Sequence, residues 1–189
     1  MTTLSCVYHR EMLTLDTPRL RLRRWRESDR EPFYRINSDP RVMEFFPACL
    51  TREESDALIA RAEAHFQEHG FGAFAAEIKA NGELAGFVGL MIPRFEAYFT
   101  PCVEIGWRLG ADYWNQGLAT EGAEAVLRMA FDELRLREVV SFTVPANLRS
   151  RRVMEKLRMK YDGAFDHPGL PEGHRLRPHV LYRKVLVQE

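Results

Sequence analysis

Apolar and basic residues alternate from Arg19 to Trp25, as Arg-Leu-Arg-Leu-Arg-Arg-Trp. A period of two marks a strand with one buried face. Ser28 or Asp29 then caps a short helix carrying Phe33, Tyr34 and Ile36, and Asp39-Pro40 stops it. Thr51-Arg52-Glu53-Glu54 is a capping box. The helix it opens sets Leu58, Ile59, Ala62 and Phe66 on one face, and Gly70 ends it. Residues 71–79 and 84–92 read as strands joined at Asn81-Gly82, where a type I′ turn with two positive φ angles is expected. Residues 102–109 form a further strand. Residues 117–134 form a long amphipathic helix with Ala119, Ala123, Val126, Leu127, Ala130 and Leu134 on its dry stripe. A strand at 139–144, a helix from an Asn147 cap to Leu157, and strands at 161–165 and 179–187 complete the pattern.

Strand-helix-strand-helix in the second half points to an α/β (α+β) domain whose sheet is partly parallel. No repeat or low-complexity tract interrupts the 189 residues, so residues 15–189 are read as one domain behind an extension at 1–14, with Met12 an alternative start. The 46% hydrophobic and 29% charged fractions fit a globular chain. Lys plus Arg equals Asp plus Glu at 27 each, so no overall bias toward nucleic acid or an anionic membrane exists. Cys6, Cys49 and Cys102 are odd in number and far apart, which argues against a disulfide framework or a zinc pair and for a reducing compartment. No segment reads as a signal peptide or a membrane span. The expectation is a cytoplasmic protein.

The chemistry concentrates in Glu104-Ile105-Gly106-Trp107-Arg108-Leu109 and then Tyr113-Trp114-Asn115-Gln116-Gly117-Leu118-Ala119-Thr120-Glu121. A strand runs through a short loop into a helix. The first turn of a helix has N–H groups without intrahelical partners and carries the positive end of the macrodipole. Gly117 and Ala119 let a phosphate approach that backbone. A tight turn before a core helix has the same local look. No Walker loop and no GxGxxG is present.

This block resembles the acetyl-CoA pyrophosphate loop of GNAT N-acetyltransferases, most closely the RimJ/RimL-like branch, the ribosomal-protein N-terminal acetyltransferases. Trp114, Gly117 and Ala119 take the first, fourth and sixth positions of the superfamily pattern. Asn147-Leu148-Arg149-Ser150-Arg151-Arg152-Val153-Met154-Glu155-Lys156-Leu157 is similar to a second block of that branch, and Thr17 to Arg23 and His179 to Arg183 match as well. The resemblance implies a single-domain GNAT fold: a mixed, mostly antiparallel seven-stranded sheet, with a central parallel pair splayed for acetyl-CoA and about four flanking helices. It implies acetyl transfer from acetyl-CoA to a primary amine by direct attack in a ternary complex, without a metal. The acceptor would be a small molecule or a protein N-terminus. Relatives are often homodimers.

By the same resemblance, backbone groups of Trp107 and Leu109 would pair with the pantetheine arm. Trp114, Asn115, Gln116, Gly117, Leu118, Ala119 and Thr120 would form the loop that holds the pyrophosphate, and a backbone N–H near Gly106 and Trp107 would polarise the thioester carbonyl. Asn147 is an N-cap that would also bond the arm, and Arg149 and Arg152 would meet phosphates unless they are only a solvated face. The acceptor amine must lose a proton. Glu104 is the candidate base, against a plain solvent-facing charge. Many members place a tyrosine acid where this chain has Met154, so Ser150 becomes the candidate proton donor to the thiolate, or else an ordinary residue of a first helical turn. Phe45, Phe46, His167 and His174 are candidate acceptor contacts, the histidines also alternative bases. Relatives end the Asn147 helix with Gly where this chain has Arg158, and a left-handed Arg158 would cost about 1 kcal/mol.

Two readings from other classes remain. One is a non-catalytic acetyl-CoA-binding or sensory module on the same fold, kept alive by Met154. The other is a zinc hydrolase, raised by the spacing His65-Phe66-Gln67-Glu68-His69. Such a short pattern arises easily by chance, and Gly70 ends the helix directly after His69.

Overall fold

The computed structural model describes residues 14–186. The 1–13 part of the expected extension, with Cys6 and Met12, and the end of the last strand at Val187 lie outside them. The chain forms β1 (Leu15–Asp16), β2 (Leu20–Arg23), α1 (Arg30–Asn37), α2 (Arg52–His69), β3 (Ala73–Ile78), β4 (Leu84–Met91), β5 (Glu104–Leu109), α3 (Leu118–Arg128), β6 (Glu138–Thr143), α4 (Leu148–Lys156), β7 (Lys160–Asp166) and β8 (Pro178–Val185). One sheet runs in the order β1-β2-β3-β4-β5-β6-β8-β7. It has eight strands rather than seven, because Leu15 and Asp16 add a short edge strand opposite Leu22 and Arg21. Among the described residues only β5 and β6 pair in parallel.

Local signals account for most boundaries. Thr51 Oγ1 accepts from the Glu54 N–H and Glu54 Oε2 accepts from the Thr51 N–H, the reciprocal pair read in the sequence. Gly70 closes α2 in the left-handed region at φ 75°. The Asn81-Gly82 turn differs from expectation: Gly82 alone has positive φ, and Ile78 N–H donates to Glu83 across the four-residue loop 79–82. The Asn81 side chain accepts from the Glu83 N–H instead. A two-residue turn is thereby replaced by a longer one with a single left-handed glycine. Asp29 does not cap α1 with its side chain; it accepts from the Arg26 N–H and the Arg23 guanidinium.

The two faces of the sheet carry separate cores. Leu20, Leu22, Val88, Ile105 and Leu109 pack with Val126 and Leu127 of α3 and Met154 of α4. Phe33 of α1, Ile59 of α2, Ala75 and Leu84 pack with Trp25, Leu58 and Phe87 on the other face. A Cβ at Gly122 would stand 3.2 Å from Val88 and 3.3 Å from Leu20, so this glycine lets α3 lie close to the sheet. The alternation in β2 does not leave all its arginines in water. Arg23 is 5% exposed and bonds Asp29 and Glu77, both also buried.

Candidate functional site

The parallel strands β5 and β6 share a single register pair, Glu104 with Val140, and the Val140 N–H donates to the Val103 carbonyl at 2.9 Å. Beyond that point they part. The gap is continuous with a cavity of about 820 Å³, ample for a cofactor-sized ligand. It runs between both faces of the sheet, and the alternation of β5 explains why. Ile105 and Leu109 join the α3 core. Glu104, Gly106 and Arg108 alternate to the opposite face and line the cavity opposite Met91, Gly89 and Phe87 of β4.

At one end the cavity meets the start of α3. Asn115 and Gly117 both take positive φ, 59° and 81°, and turn the loop so that α3 begins at Leu118. Asn115, Gly117, Leu118, Ala119 and Thr120 all line the cavity, so the mouth is open to it. Arg19 braces the turn from behind: it donates to the Gln116 carbonyl at 2.8 Å and pairs with Glu121 at 2.7 Å. Gln116 itself does not line the cavity; its amide donates to the Asp112 carbonyl. Trp114 Nε1 donates to the Leu109 carbonyl at 2.9 Å, which ties the loop to the end of β5 and occupies that carbonyl. Arg149 lies over the Trp114 ring at 4.4 Å and pairs with Glu44. Arg149, Arg152 and Lys156 from α4 make the wall beside the mouth basic.

Asn147 caps α4 by accepting from the Ser150 N–H at 3.2 Å, and its Nδ2 donates to Thr143. Both residues, with Ser150, line the cavity. Met154 is fully buried in the α3 core. Arg158 takes the left-handed conformation at φ 56°.

Glu104 stands where the splay begins. Its carboxylate makes no hydrogen bond or ion pair among the described residues, and burial alone pushes it up to about 8. Part of its surface still faces the cavity, so water in the cleft tempers that desolvation. An acid raised in this way titrates near neutrality.

A model of the acetyltransferase (GNAT) domain family matches residues 19–160. The chain belongs to the GNAT acetyltransferase superfamily. It is 30% identical over 153 residues to an uncharacterized N-acetyltransferase, YnaD, of Bacillus subtilis, covering 80% of this chain and 85% of that protein. It is 33% identical over 175 residues to the FsC-acetyl coenzyme A-N(2)-transacetylase of Aspergillus fumigatus, covering 85% and 73%. A GNAT-family acetyltransferase from Bacillus anthracis superposes with a TM-score of 0.76 at 25% identity, over 92% of this chain and 98% of that one.

In this GNAT domain most candidate residues meet at one cavity. Trp107, Leu109, Trp114, Asn147, Ser150, Phe45, Phe46 and His167 join those above along its wall. His174 does not; its Nδ1 accepts from the Leu176 N–H beside a separate surface recess. His167 Nδ1 accepts from the Gly169 N–H, and burial lowers the ring's pKa. With Nδ1 engaged in this way, Nε2 is the ring atom left to face the cavity. The His65–His69 pair is no metal site. His65 Nδ1 donates to the Phe71 carbonyl at 2.7 Å while Nε2 accepts from the Ile92 N–H at 3.1 Å. Among the described residues no group of three His, Cys, Asp or Glu could hold a metal.

Sequence reading missed Arg108. Its Nη1 donates to Asn37 Oδ1 at 2.7 Å, and its guanidinium lies 4.1 Å from the centroid of Phe46 and 5.7 Å from that of Phe87. It was one more polar residue in a strand alternation, and only the shared face with Glu104 gave any signal.

Proposed function

We propose that this protein transfers the acetyl group of acetyl-CoA to a primary amine, by direct attack of the amine within a ternary complex. The observation that carries this reading is the continuity of three features in one cavity: the open first turn of α3, the splayed β5–β6 gap and the raised carboxylate of Glu104. The residues fit the cosubstrate. Unpaired N–H groups at Leu118, Ala119 and Thr120 with Arg149 and Arg152 suit a diphosphate. The narrow gap beside Trp107 suits an extended arm; the Leu109 carbonyl, engaged by Trp114, leaves Trp107 as the main backbone partner there.

Acetyl-CoA supplies the acetyl group as a thioester. Glu104 takes the acceptor's proton, directly or through water, so that the amine attacks as a free base. One backbone N–H near Gly106 and Trp107 faces the developing negative charge on the carbonyl oxygen. Ser150, at the start of α4, hydrogen-bonds the departing thiolate and relays a proton to it from water, so that the hydroxyl is restored. A thiol's ordinary pKa near 8.5 makes this assistance modest. A RimJ/RimL-like protein α-amine and a small-molecule amine both suit the scaffold, in a cytoplasmic setting.

The test is calorimetric titration with acetyl-CoA followed by a thiol-release assay over an amine panel, on wild type, Glu104→Gln and Ser150→Ala. We expect micromolar binding, turnover of some amines, and loss of kcat in both variants. Failure to bind acetyl-CoA overturns the reading. Tight binding without turnover of any amine favours a non-catalytic sensory module, for which Met154 in the tyrosine slot is the supporting observation.

A further inference from the structure

Among the described residues Arg23 is buried and Arg108 half-buried, and the two are held differently. Arg23 sits between Asp29 and Glu77 and bonds both. Arg108 lies on the same face of the sheet and has no carboxylate partner among the described residues. Its one hydrogen bond goes to a neutral acceptor, Asn37 Oδ1, and Asn37 is fixed in turn because its Nδ2 donates to Ser55 Oγ at 2.9 Å. The remaining donors, Nη2 and Nε, make no hydrogen bond, and Nε is sealed from water. Nη2, unbonded and not sealed, is free to give a charge-assisted hydrogen bond to a carboxylate. A buried donor left without an acceptor is unfavourable, and an unpaired buried charge more so. Desolvation accordingly lowers the pKa of Arg108 to about 10.

Aromatic side chains wall the guanidinium. Phe46 lies under the guanidinium, Phe87 stands in register on β4, and Trp25 and Phe33 add apolar wall. Arg108 and Glu104 share one face of β5 with Gly106 between them. Four residues of strand separate their Cα atoms by about 13 Å. Burial alone accounts for the shift at each group, so neither is titrated by the other.

We propose that Arg108 is the specificity-determining residue for the acceptor, and that the acceptor is an amine bearing a carboxylate several bonds away. This rests on the acetyl-transfer reading. The amine lies at Glu104, the carbon chain passes Gly106 alongside Met91, and the carboxylate meets Nη2 of Arg108, the unpaired nitrogen that is not sealed. One unpaired positive charge in an apolar pocket matches a monoanion. A phosphate dianion would need further donors at that depth, whereas Arg61 and Arg94 are exposed at the cavity rim.

The test uses ω-amino acids from glycine to 6-aminohexanoate, each against its primary amide, with 3-aminopropylphosphonate as a dianion probe. Wild type is compared with Arg108→Lys and Arg108→Gln. Acetyl-CoA affinity, measured first, must survive in both variants; if a variant loses it, Arg108→Met takes its place. We expect the longer carboxylates to exceed their amides in kcat/KM by at least tenfold. That ratio should collapse toward one in Arg108→Gln through KM, and recover in part in Arg108→Lys. Equal use of acid and amide, a ratio unchanged in Arg108→Gln, or preference for the phosphonate overturns the inference. If no amine turns over, calorimetry of the same acids on the CoA-loaded protein decides: acids binding wild type but not Arg108→Gln support it, and no binding overturns it. Failure to bind acetyl-CoA at all would instead sink the acetyl-transfer reading.

Discussion

Glu104 and Val140 form the one register pair between β5 and β6. The Glu104 backbone is thus fixed at the fork of the splay, held by strands on both sides, since Met91 of β4 is its other register partner. Its position relative to anything lying in the gap is set by the sheet and not by a mobile loop.

The activity should follow that carboxylate. Glu104 is raised to about 8 and must be ionised to accept a proton. We expect kcat/KM to rise with pH and to level above about 8. Glu104→Gln should lose that limb and fall by about 10²–10⁴-fold. A pH profile identical in both proteins would exclude Glu104 as the base.

The same shift has a consequence for stability. The folded pKa lies above the ordinary value of 4.5, so folding favours the protonated form. The contribution is fully present below about 4.5 and is lost as pH rises through about 8. Urea midpoints of wild type should therefore fall over this range relative to Glu104→Gln. Parallel curves for the two proteins would contradict this.

Ala119→Glu separates anion binding from folding. An acid in the first turn of α3 suits the helix dipole and should leave stability unchanged or raise it by about 0.3–1 kcal/mol. The same carboxylate faces the proposed diphosphate site. Acetyl-CoA affinity should drop at least tenfold, read by calorimetry. Retained affinity would mean that the mouth of α3 does not hold the phosphates.

Arg23→Met leaves Asp29 and Glu77 buried without their cation. We expect a loss of about 3–5 kcal/mol in denaturant unfolding. A loss below about 1 kcal/mol would show that water or Arg26, which also reaches Glu77, replaces it.

Arg158→Gly should act in the opposite direction. Arg158 holds φ 56°, a conformation glycine adopts without a Cβ penalty. The variant should gain about 1 kcal/mol, or about 2–4 °C in Tm. No gain in a thermal melt would mean that the Arg158 side chain makes up the strain.

The sequence by itself determined what is local. The caps at Thr51 and Asn147, the left-handed stop at Gly70 and the small-residue turn at Gly117 depend on a few neighbours, and the chain carried them in plain view. Alternation in the strands likewise separated Ile105 and Leu109 from Glu104 and Arg108. The tertiary structure alone decided which polar residues are buried and with whom. Arg21 and Arg23 read alike, as do Arg108 and any other polar strand residue, because alternation names a face but not what covers it. Arg23 found two acids through the approach of β3 and the turn before α1, and Arg108 found a neutral amide from α1 and the ring of Phe46. Desolvation and charge pairing act through space, and the partners that set them lie tens of residues away along the chain.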